Sequence, residues 1–208
     1  MGKSVAKKTE QILESSPYLL RALDGGYANI SEVARKIAGE MGEKASLIAV
    51  RAAVKRFSEG RSSNSSANEN RIKRLLKESK LELATGISVI VVNQAAYENL
   101  RIRPKNTLSV VKSKTGVTIV CPDDYLASLE AKLHRHDIFI KNRDLVSLSL
   151  ITPEKIEDTP GVVAFITDKL AENGINLKEF LSSYRDTMMI LEKKDSLKAY
   201  QLMERLIS

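Results

Sequence analysis

The sequence of 208 residues contains a single cysteine and no long apolar run. One cysteine, Cys121, permits neither an internal disulfide nor a cysteine-based metal cluster. The longest apolar run, Ile87 to Val92 with one serine, has the length of a strand, whereas a membrane span needs about 20 residues. The first ten residues lack the apolar stretch of a secretory signal. We therefore expect a protein of the reducing cytoplasm, with Cys121 buried at the end of a strand.

Signatures of enzymes and of nucleotide binding are also lacking. The glycines form neither a GxGxxG motif nor a Walker loop. No Ser-His-Asp triad or pair of catalytic carboxylates can be argued from the sequence. His134, His136 and Asp137, with Asp123 and Asp124 upstream, form only a loose pattern for a metal, because surface histidines near carboxylates are ordinary. We expect no catalytic site, no metal and no cofactor.

Positive charge is in excess, and the excess lies in one part of the chain. The net charge is +7: residues 1–80 contain 16 Lys and Arg against 9 Asp and Glu, whereas residues 81–208 contain 17 of each. Such an excess is typical of proteins with nucleic-acid partners. Ser58 to Asn70 has no apolar residue larger than alanine, which is typical of a flexible linker. We predict a basic unit over 1–58, then a linker and basic helix over 59–80.

Apolar residues of the basic unit recur at helical spacing. A stripe from Ile30 to Met41 follows the i, i+3, i+4, i+7 pattern, with Asn29 as its N-cap and Gly42 after its end. A second helix is predicted from about Ser46. The residues on its predicted apolar face are Leu47, Val50, Val54 and Phe57. Two helices joined by about four residues, after one or two packing helices, match the helix-turn-helix pattern.

In a helix-turn-helix the second helix enters the major groove of DNA, and its exposed side chains meet the bases and phosphates. The candidate DNA-binding residues are Lys44, Ser46, Arg51, Lys55 and Arg56. Arg51 and Lys55 are four residues apart and therefore share a face. Two alternatives stay open: a small helical bundle with a solvated basic face, or a unit that docks on another protein. The polar segment after Phe57 disfavours the β-hairpin of a winged version.

Strand and helix patterns alternate over the neutral part of the chain. Residues 81–144 are predicted in the order βαββαβ, and the pattern recurs over 145–208. The predicted helix of the second copy runs from Pro160 to Asn173, with Asp158 or Thr159 as its cap. The sequence leaves no room for a sixth element in that copy. Either it has only three strands of its own or the sheet borrows one.

The segment from Ile151 to Ser183 resembles an ACT domain, the small-molecule-sensing module of amino-acid metabolism. The motifs that carry this resemblance are Asp158-Thr159-Pro160-Gly161-Val162 and Gly174-Ile175-Asn176-Leu177, which leads into Ser182-Ser183. It covers 145–208, and 81–144 resembles a degenerate first copy without the Pro-Gly signature. The tandem copies resemble the regulatory part of aspartate kinases. The whole arrangement is similar to a group of archaeal predicted regulators of amino-acid metabolism, which join an N-terminal helical segment to an ACT region.

The resemblance implies an α+β fold, with a small all-α, helix-turn-helix-like domain followed by tandem ferredoxin-like βαββαβ ACT repeats. In the family, the loop before Pro-Gly and the Asn after the first helix line the ligand, often between two subunits. The positions that match are Asp158, Thr159, Gly161, Val162 and Asn176. Each of them also has a plain structural role, and many ACT domains only associate, so a ligand-free scaffold stays an alternative.

The expected function is an amino-acid-responsive regulator of transcription. Its ACT region would form a homodimer, or a higher homo-oligomer, and sense a small effector, while the basic helical unit contacts DNA. The alternative is a regulatory or scaffolding subunit that docks on an amino-acid biosynthetic enzyme without binding DNA.

Overall fold

The computed structural model describes residues 4–42 and 45–208, apart from the side chains of 61–67 and of residue 104. The chain divides into two compact units, Met1–Arg71 and Ile72–Ser208. Among the described residues, no helix is both long enough and apolar enough to cross a membrane.

The described part of the first unit is helical. Helices α1 (Val5–Glu14), α2 (Pro17–Asp24) and α3 (Ile30–Met41) precede α4, which is Leu47–Lys77. The predicted cap of α3 is confirmed, because the Asn29 side chain accepts a hydrogen bond from the Ser31 amide at 2.9 Å. Seven buried apolar residues of this unit form one cluster: Leu13, Leu23, Val33, Ala34, Ile37, Val50 and Val54.

Helix α4 continues through the segment predicted as a flexible linker, so that prediction is wrong about its secondary structure. Residues 58–70 are poor helix formers: each serine or asparagine costs about 0.5 kcal/mol relative to alanine and Gly60 about 1, roughly 5 kcal/mol in all. The helix is fixed on both sides of this segment, by Val50 in one buried cluster and by Leu76 in another. Packing of its ends, rather than propensity, therefore accounts for the helix.

The second unit contains a curled antiparallel sheet in the order β2-β3-β1-β4-β6-β5. The strands are β1 (Lys80–Val92), β2 (Ser109–Lys112), β3 (Val117–Pro122), β4 (Ile138–Ile151), β5 (Leu177–Ser183) and β6 (Asp186–Glu192). The helices are α5 (Gln94–Leu100), α6 (Asp123–Glu130), α7 (Val162–Glu172) and α8 (Ser196–Ile207). The fold of this unit is mixed α/β, consistent with the ferredoxin-like prediction.

The two longest strands, β1 and β4, belong to both copies of the βαββαβ pattern. They pair along their whole length, from Lys80 opposite Ile151 to Val92 opposite Ile138. The first repeat runs β1-α5-β2-β3-α6-β4, and the second runs β4-α7-β5-β6-α8. The second repeat takes its fourth strand from the beginning of β1, which pairs with the end of β4. The sheet thus borrows a strand. The last strand predicted for the first copy and the first strand predicted for the second copy, on either side of residue 143, are one continuous strand, β4.

Each repeat buries its helices against one face of the sheet. In the first repeat, Leu126 and Leu129 of α6 pack with Ile119 of β3. In the second, Ile166 and Leu170 of α7 form a cluster that also includes strand residues, helix α8 and the end of α4. We call this group the second-repeat core. Its buried members are Ile72, Leu75, Leu76, Leu148, Leu150, Ile156, Val162, Ile166, Leu170, Ile175, Met189, Leu191, Ala199 and Met203.

Cys121 is fully buried at the end of β3, which confirms its prediction as a core residue. Burial raises the pKa of its thiol to about 11, with smaller contributions from the negative charges of Asp123 and Asp124. The thiol is therefore protonated at neutral pH, and a protonated thiol is a poor nucleophile.

Candidate functional site

The turn that leads from β4 into α7 ends on a glycine. Gly161 is the N-cap of α7 and lies in the left-handed region, at φ 85° and ψ 0°, which favours a residue without a Cβ. Helix α7 begins at Val162, and no side chain among the described residues caps it. The predicted helix is confirmed, but it starts two residues after Pro160, and the prediction that Asp158 or Thr159 caps it is wrong. The Thr159 hydroxyl instead donates to the Lys155 carbonyl at 3.0 Å, within the loop.

The start of α7 presents backbone N–H groups that the helix itself does not use. At this end, the Phe165 amide donates to the Gly161 carbonyl at 2.8 Å. The amides of Val162, Val163 and Ala164 come before it and have no intrahelical acceptor. Such a helix start carries partial positive charge and suits a carboxylate or another anion.

A cavity of about 670 Å³ lies at this helix start. Three elements line it: the loop before α7, the first turns of α7 itself, and the hairpin of β5 and β6. The lining residues are Ile156, Glu157, Thr159, Gly161, Val162, Val163, Ala164, Ile166, Thr167, Ser182, Tyr184 and Thr187. Pockets of roughly 300–1,000 Å³ are those that hold small molecules in proteins.

The lining of the cavity is apolar and hydroxylic, with a single formal charge on Glu157. Within the described part of the chain, neither lysine nor arginine lines it. Arg185 is close in sequence, but its Nε donates to the Thr152 carbonyl at 2.7 Å. Tyr184 donates its hydroxyl to Glu154 Oε1 at 2.8 Å, and this hydrogen bond raises the pKa of Tyr184. The electrostatics of the cavity therefore combine a positive helix start with nearby carboxylates.

The cavity gathers three of the five residues expected to bind an effector: Thr159, Gly161 and Val162. Asp158 and Asn176 are not among the lining residues. Sequence reasoning missed three lining residues: Thr167 of α7, Tyr184 and Thr187. Tyr184 and Thr187 lie in the hairpin and reach the cavity only because β5 pairs with β6. Ser182 also lines it, and the pair Ser182-Ser183 was part of the motif that carried the resemblance.

In the first repeat, the corresponding helix, α5, has a side-chain cap, which is Asn93. Asn93 Oδ1 accepts the Ala96 amide at 2.7 Å at the start of α5. Asn93 Nδ2 donates to Asp137 Oδ1 at 2.9 Å, and the Asn93 amide donates to the Asp137 carbonyl at 3.0 Å. A smaller cleft of about 340 Å³ lies on this repeat near the start of α6, between Lys105 and Asp124.

The two histidines stack on each other beside this cap. The His134 and His136 ring centroids are 5.4 Å apart, with an angle of 5° between the planes. The His134 amide donates to Asp137 Oδ2 at 2.9 Å, and this bond, followed by the one from Asn93, lowers the Asp137 pKa. In the ranges that the structure describes, no three His, Cys, Asp or Glu side chains are grouped so that they could hold a metal ion.

The basic residues proposed for DNA are brought together on the first turns of α4. Ser46, Arg51, Lys55 and Arg56 are all exposed, and Lys44 lies outside the described residues. Lys55 Nζ lies 3.7 Å from Glu59 Oε1. Because both side chains are exposed, this ion pair contributes little to the stability of the fold. Leu47 was predicted in the core but is 45% exposed, and Ile48 is 83% exposed. The spacing of Ile48, Arg51 and Lys55 places an isoleucine on the basic face, which sequence reasoning missed.

Residues 141–205 match the family model of the ACT domain. This stretch is an ACT domain. It contains most of β4 and the cavity at the start of α7, and the predicted resemblance is confirmed over these residues. No curated protein matches the sequence.

Solved structures have a fold similar to that of part of this chain. The regulatory subunit of aspartate kinase from Thermus thermophilus, in its ligand-free form, is 13% identical with a TM-score of 0.53, over 62% of this chain and 96% of that one. The corresponding subunit from Thermus flavus is 12% identical with a TM-score of 0.50, over 63% and 97%. E. coli aspartokinase III in complex with aspartate and ADP is 13% identical with a TM-score of 0.51, over 62% of this chain and 33% of that one. At these identities the likeness is one of fold.

Proposed function

We propose that this protein is an amino-acid-responsive regulator whose ACT domain binds a small effector at the start of α7. The cavity of about 670 Å³ at a helix start without a side-chain cap is the observation that carries the proposal. The amides of Val162 to Ala164 would hold the α-carboxylate of the effector, and Glu157 would face its ammonium group. Association of two chains through the ACT region belongs to the same proposal.

The charges around the cavity narrow the class of effector. The Glu157 carboxylate lines the cavity. A second carboxylate, that of Glu154, accepts a hydrogen bond from the lining residue Tyr184. An acidic side chain on the effector would meet these like charges without a lysine or arginine in the lining to offset them. The proposed effector is therefore an α-amino acid with a neutral or cationic side chain, rather than aspartate or glutamate.

A thermal-shift screen with the twenty amino acids tests the effector site, because a ligand that binds only the folded state raises its melting temperature. Ala164→Phe adds a ring at the cavity, and Ala171→Phe makes the same change at an exposed position of α7 outside it. The expected result is a shift by a neutral or cationic amino acid that Ala164→Phe removes and Ala171→Phe keeps. Stabilisation by aspartate, or a shift that survives Ala164→Phe, contradicts the proposed site.

The second part of the proposal is that the basic face of α4 contacts DNA. The exposed Arg51, Lys55 and Arg56 suit phosphates and guanine edges, and the exposed Ile48 on that face suits the methyl group of thymine. A protein that neutralises phosphates loses affinity as salt rises, with a log–log slope of about −0.9 for each contact. The salt dependence of binding therefore counts the contacts.

DNA affinity measured between about 50 and 200 mM salt tests this part. Replacing Arg51 and Lys55 together by alanine is expected to lower the affinity and to reduce the slope by about 2. The matched control replaces Lys8 and Lys36, two exposed lysines of α1 and α3, and changes the net charge equally. A flat salt dependence, or equal losses in the two double variants, contradicts DNA contact by α4.

A second candidate function is a regulatory subunit that docks on an amino-acid biosynthetic enzyme. The observation that favours it is the exposure of Leu47 and Ile48 beside the basic residues, since exposed apolar side chains are common at protein interfaces. Co-purification of a biosynthetic enzyme that Ile48→Glu abolishes, together with the absence of DNA binding, would favour this function over the first.

A further inference from the structure

The weakest part of helix α4 lies between two well-packed ends. Residues 58–70 consist mainly of serine, asparagine, glycine and charged residues, which favour a helix little on their own. Upstream, Val50 and Val54 are fully buried in the first unit. Downstream, Ile72 and Leu76 are 3% and 1% exposed in the second-repeat core. A helix with a poor centre and fixed ends is sensitive to how firmly those ends are held, because helix formation is cooperative.

The downstream end of α4 packs in the same buried cluster as the walls of the cavity. Ile72, Leu75 and Leu76 of α4 belong to the second-repeat core. Three other members of that core, Ile156, Val162 and Ile166, line the cavity at the start of α7. A molecule in the cavity would therefore rest against side chains whose other neighbours belong to the cluster that holds α4. Packed interiors transmit such changes because they contain few voids.

We propose that residues 58–70 are a helix–coil switch whose helical population is set by occupancy of the cavity. This rests on the proposed function, since it requires an effector at the start of α7. With the cavity filled, the second-repeat core holds the end of α4 firmly and the helix extends through its weak centre. With the cavity empty, the centre melts more often, and α4 is interrupted between its first turns, which carry Arg51 and Lys55, and its last turns. The effector acts through its preference for one of two states.

Gly60 gives a direct way to bias the switch. A Cβ added at Gly60 meets no atom within 4 Å, so Gly60→Ala favours the helix without a clash. Gly39, in α3, offers the matched control, since its added Cβ also meets no atom within 4 Å. In hydrogen–deuterium exchange of the full chain, we expect Gly60→Ala to slow exchange of 58–70 about fivefold. Gly39→Ala should leave exchange of this segment unchanged.

The coupling to the core is tested without any ligand. Leu76→Ala removes an anchor of α4, whereas Leu129→Ala removes the same atoms from the first-repeat core. We expect Leu76→Ala to speed exchange of 58–70 several-fold and Leu129→Ala to leave it unchanged. If Leu76→Ala does not fold, Ile72→Val gives the same comparison with a smaller cavity. Unchanged exchange in the Leu76 and Ile72 variants, or equal acceleration by Leu129→Ala, overturns the proposal.

The ligand arm uses whichever of the twenty amino acids gives the largest thermal shift. Its addition should slow exchange of 58–70 several-fold in the wild-type chain and in Ala171→Phe, but not in Ala164→Phe. If that amino acid binds and exchange of 58–70 is unchanged, the switch is overturned while the effector site stands. If no amino acid binds, the proposed effector fails, and with it the claim that occupancy sets the switch. The ligand-free comparison then still decides whether the core controls the helix.

Discussion

The two repeats of the second unit share a topology and differ at the start of their first helix. In the first repeat, Asn93 caps α5 and is itself held by Asp137. In the second, α7 starts on Gly161, without a side-chain cap, beside a cavity of about 670 Å³. The same order of strands and helices thus produces one helix start with a side-chain cap and one without. Under the proposed function, the residues at the helix start decide which repeat holds the effector.

A second difference lies in what each repeat packs against. The second-repeat core includes the end of α4, whereas the buried cluster of the first repeat contains only residues of that repeat. Each repeat also has an ion-pair cluster, formed by Glu130 with Lys141 and Arg143 in the first and by Glu192 with Lys178 and Lys194 in the second. The repeat with the cavity is therefore also the repeat whose core includes the end of α4.

The largest expected effect is the loss of unfolding free energy when a buried leucine is removed from the core of either repeat. Leu129→Ala in the first repeat and Leu170→Ala in the second each remove a buried leucine and should cost about 2–5 kcal/mol of unfolding free energy. Denaturant unfolding measures this cost. Only Leu170→Ala should also speed hydrogen exchange of Ile72 to Lys77 at the end of α4. Similar acceleration in both variants would show that α4 does not depend on the second repeat in particular.

A smaller effect tests the difference between the helix starts. Asn93→Ala removes the cap of α5 and should cost about 1 kcal/mol of unfolding free energy. Asp158→Ala, the matched change before α7, should stay within about 0.5 kcal/mol, because no cap is lost there. Denaturant midpoints of the two variants give the comparison. A cost for Asp158→Ala equal to that for Asn93→Ala would mean that Asp158 caps α7 after all.

The smallest effect concerns two surface carboxylates, one in each repeat. The hydrogen bond from Lys141 lowers the pKa of Glu130, with a smaller contribution from the charge of Arg143. Hydrogen bonds from Lys194 and Lys178 lower the pKa of Glu192 to about 2. A carboxyl with a lowered folded pKa stabilises the fold above its unfolded pKa, and this contribution is lost as pH falls through the folded value. Both repeats should therefore lose stability on acidification.

Carboxyl carbon chemical shifts, followed by NMR through an acid titration, check the pKa values of both groups. The Glu192 midpoint should lie near pH 2 and rise in Lys194→Ala. The Glu130 midpoint should lie below 4.5, the ordinary value. An ordinary midpoint for Glu192 in the wild-type chain would contradict the hydrogen bonds from the two lysines.

Local features of this fold could be predicted from the sequence because nearby residues decide them. The stripe from Ile30 to Met41 and its Asn29 cap lie within one stretch of chain, and the structure has the helix at those bounds. The recurrence of the βαββαβ pattern over 145–208 is local in the same way, and the structure has β5 and β6 as an antiparallel pair there. The ACT domain was found because its motifs at Asp158 to Val162 and Gly174 to Leu177 are continuous.

Features that depend on distant residues could not be predicted. A borrowed strand was one of two predicted alternatives, but which strand is borrowed depends on pairing between Lys80 and Ile151, 71 positions apart. The helix over 58–70 exists against its local propensity, because its anchors lie on either side of it. The start of α7 was predicted too early because Asp158 and Thr159 are good capping residues. The backbone conformation of Gly161 shows that the helix begins at Val162.

The number of effector sites per chain tests the central difference between the repeats most directly. Isothermal titration of the full chain, with the amino acid selected by the thermal-shift screen, measures that number. We predict one site per chain, lost in Ala164→Phe and kept in Ala171→Phe. Two sites per chain, or binding that survives Ala164→Phe, would contradict an effector site at the uncapped start of α7.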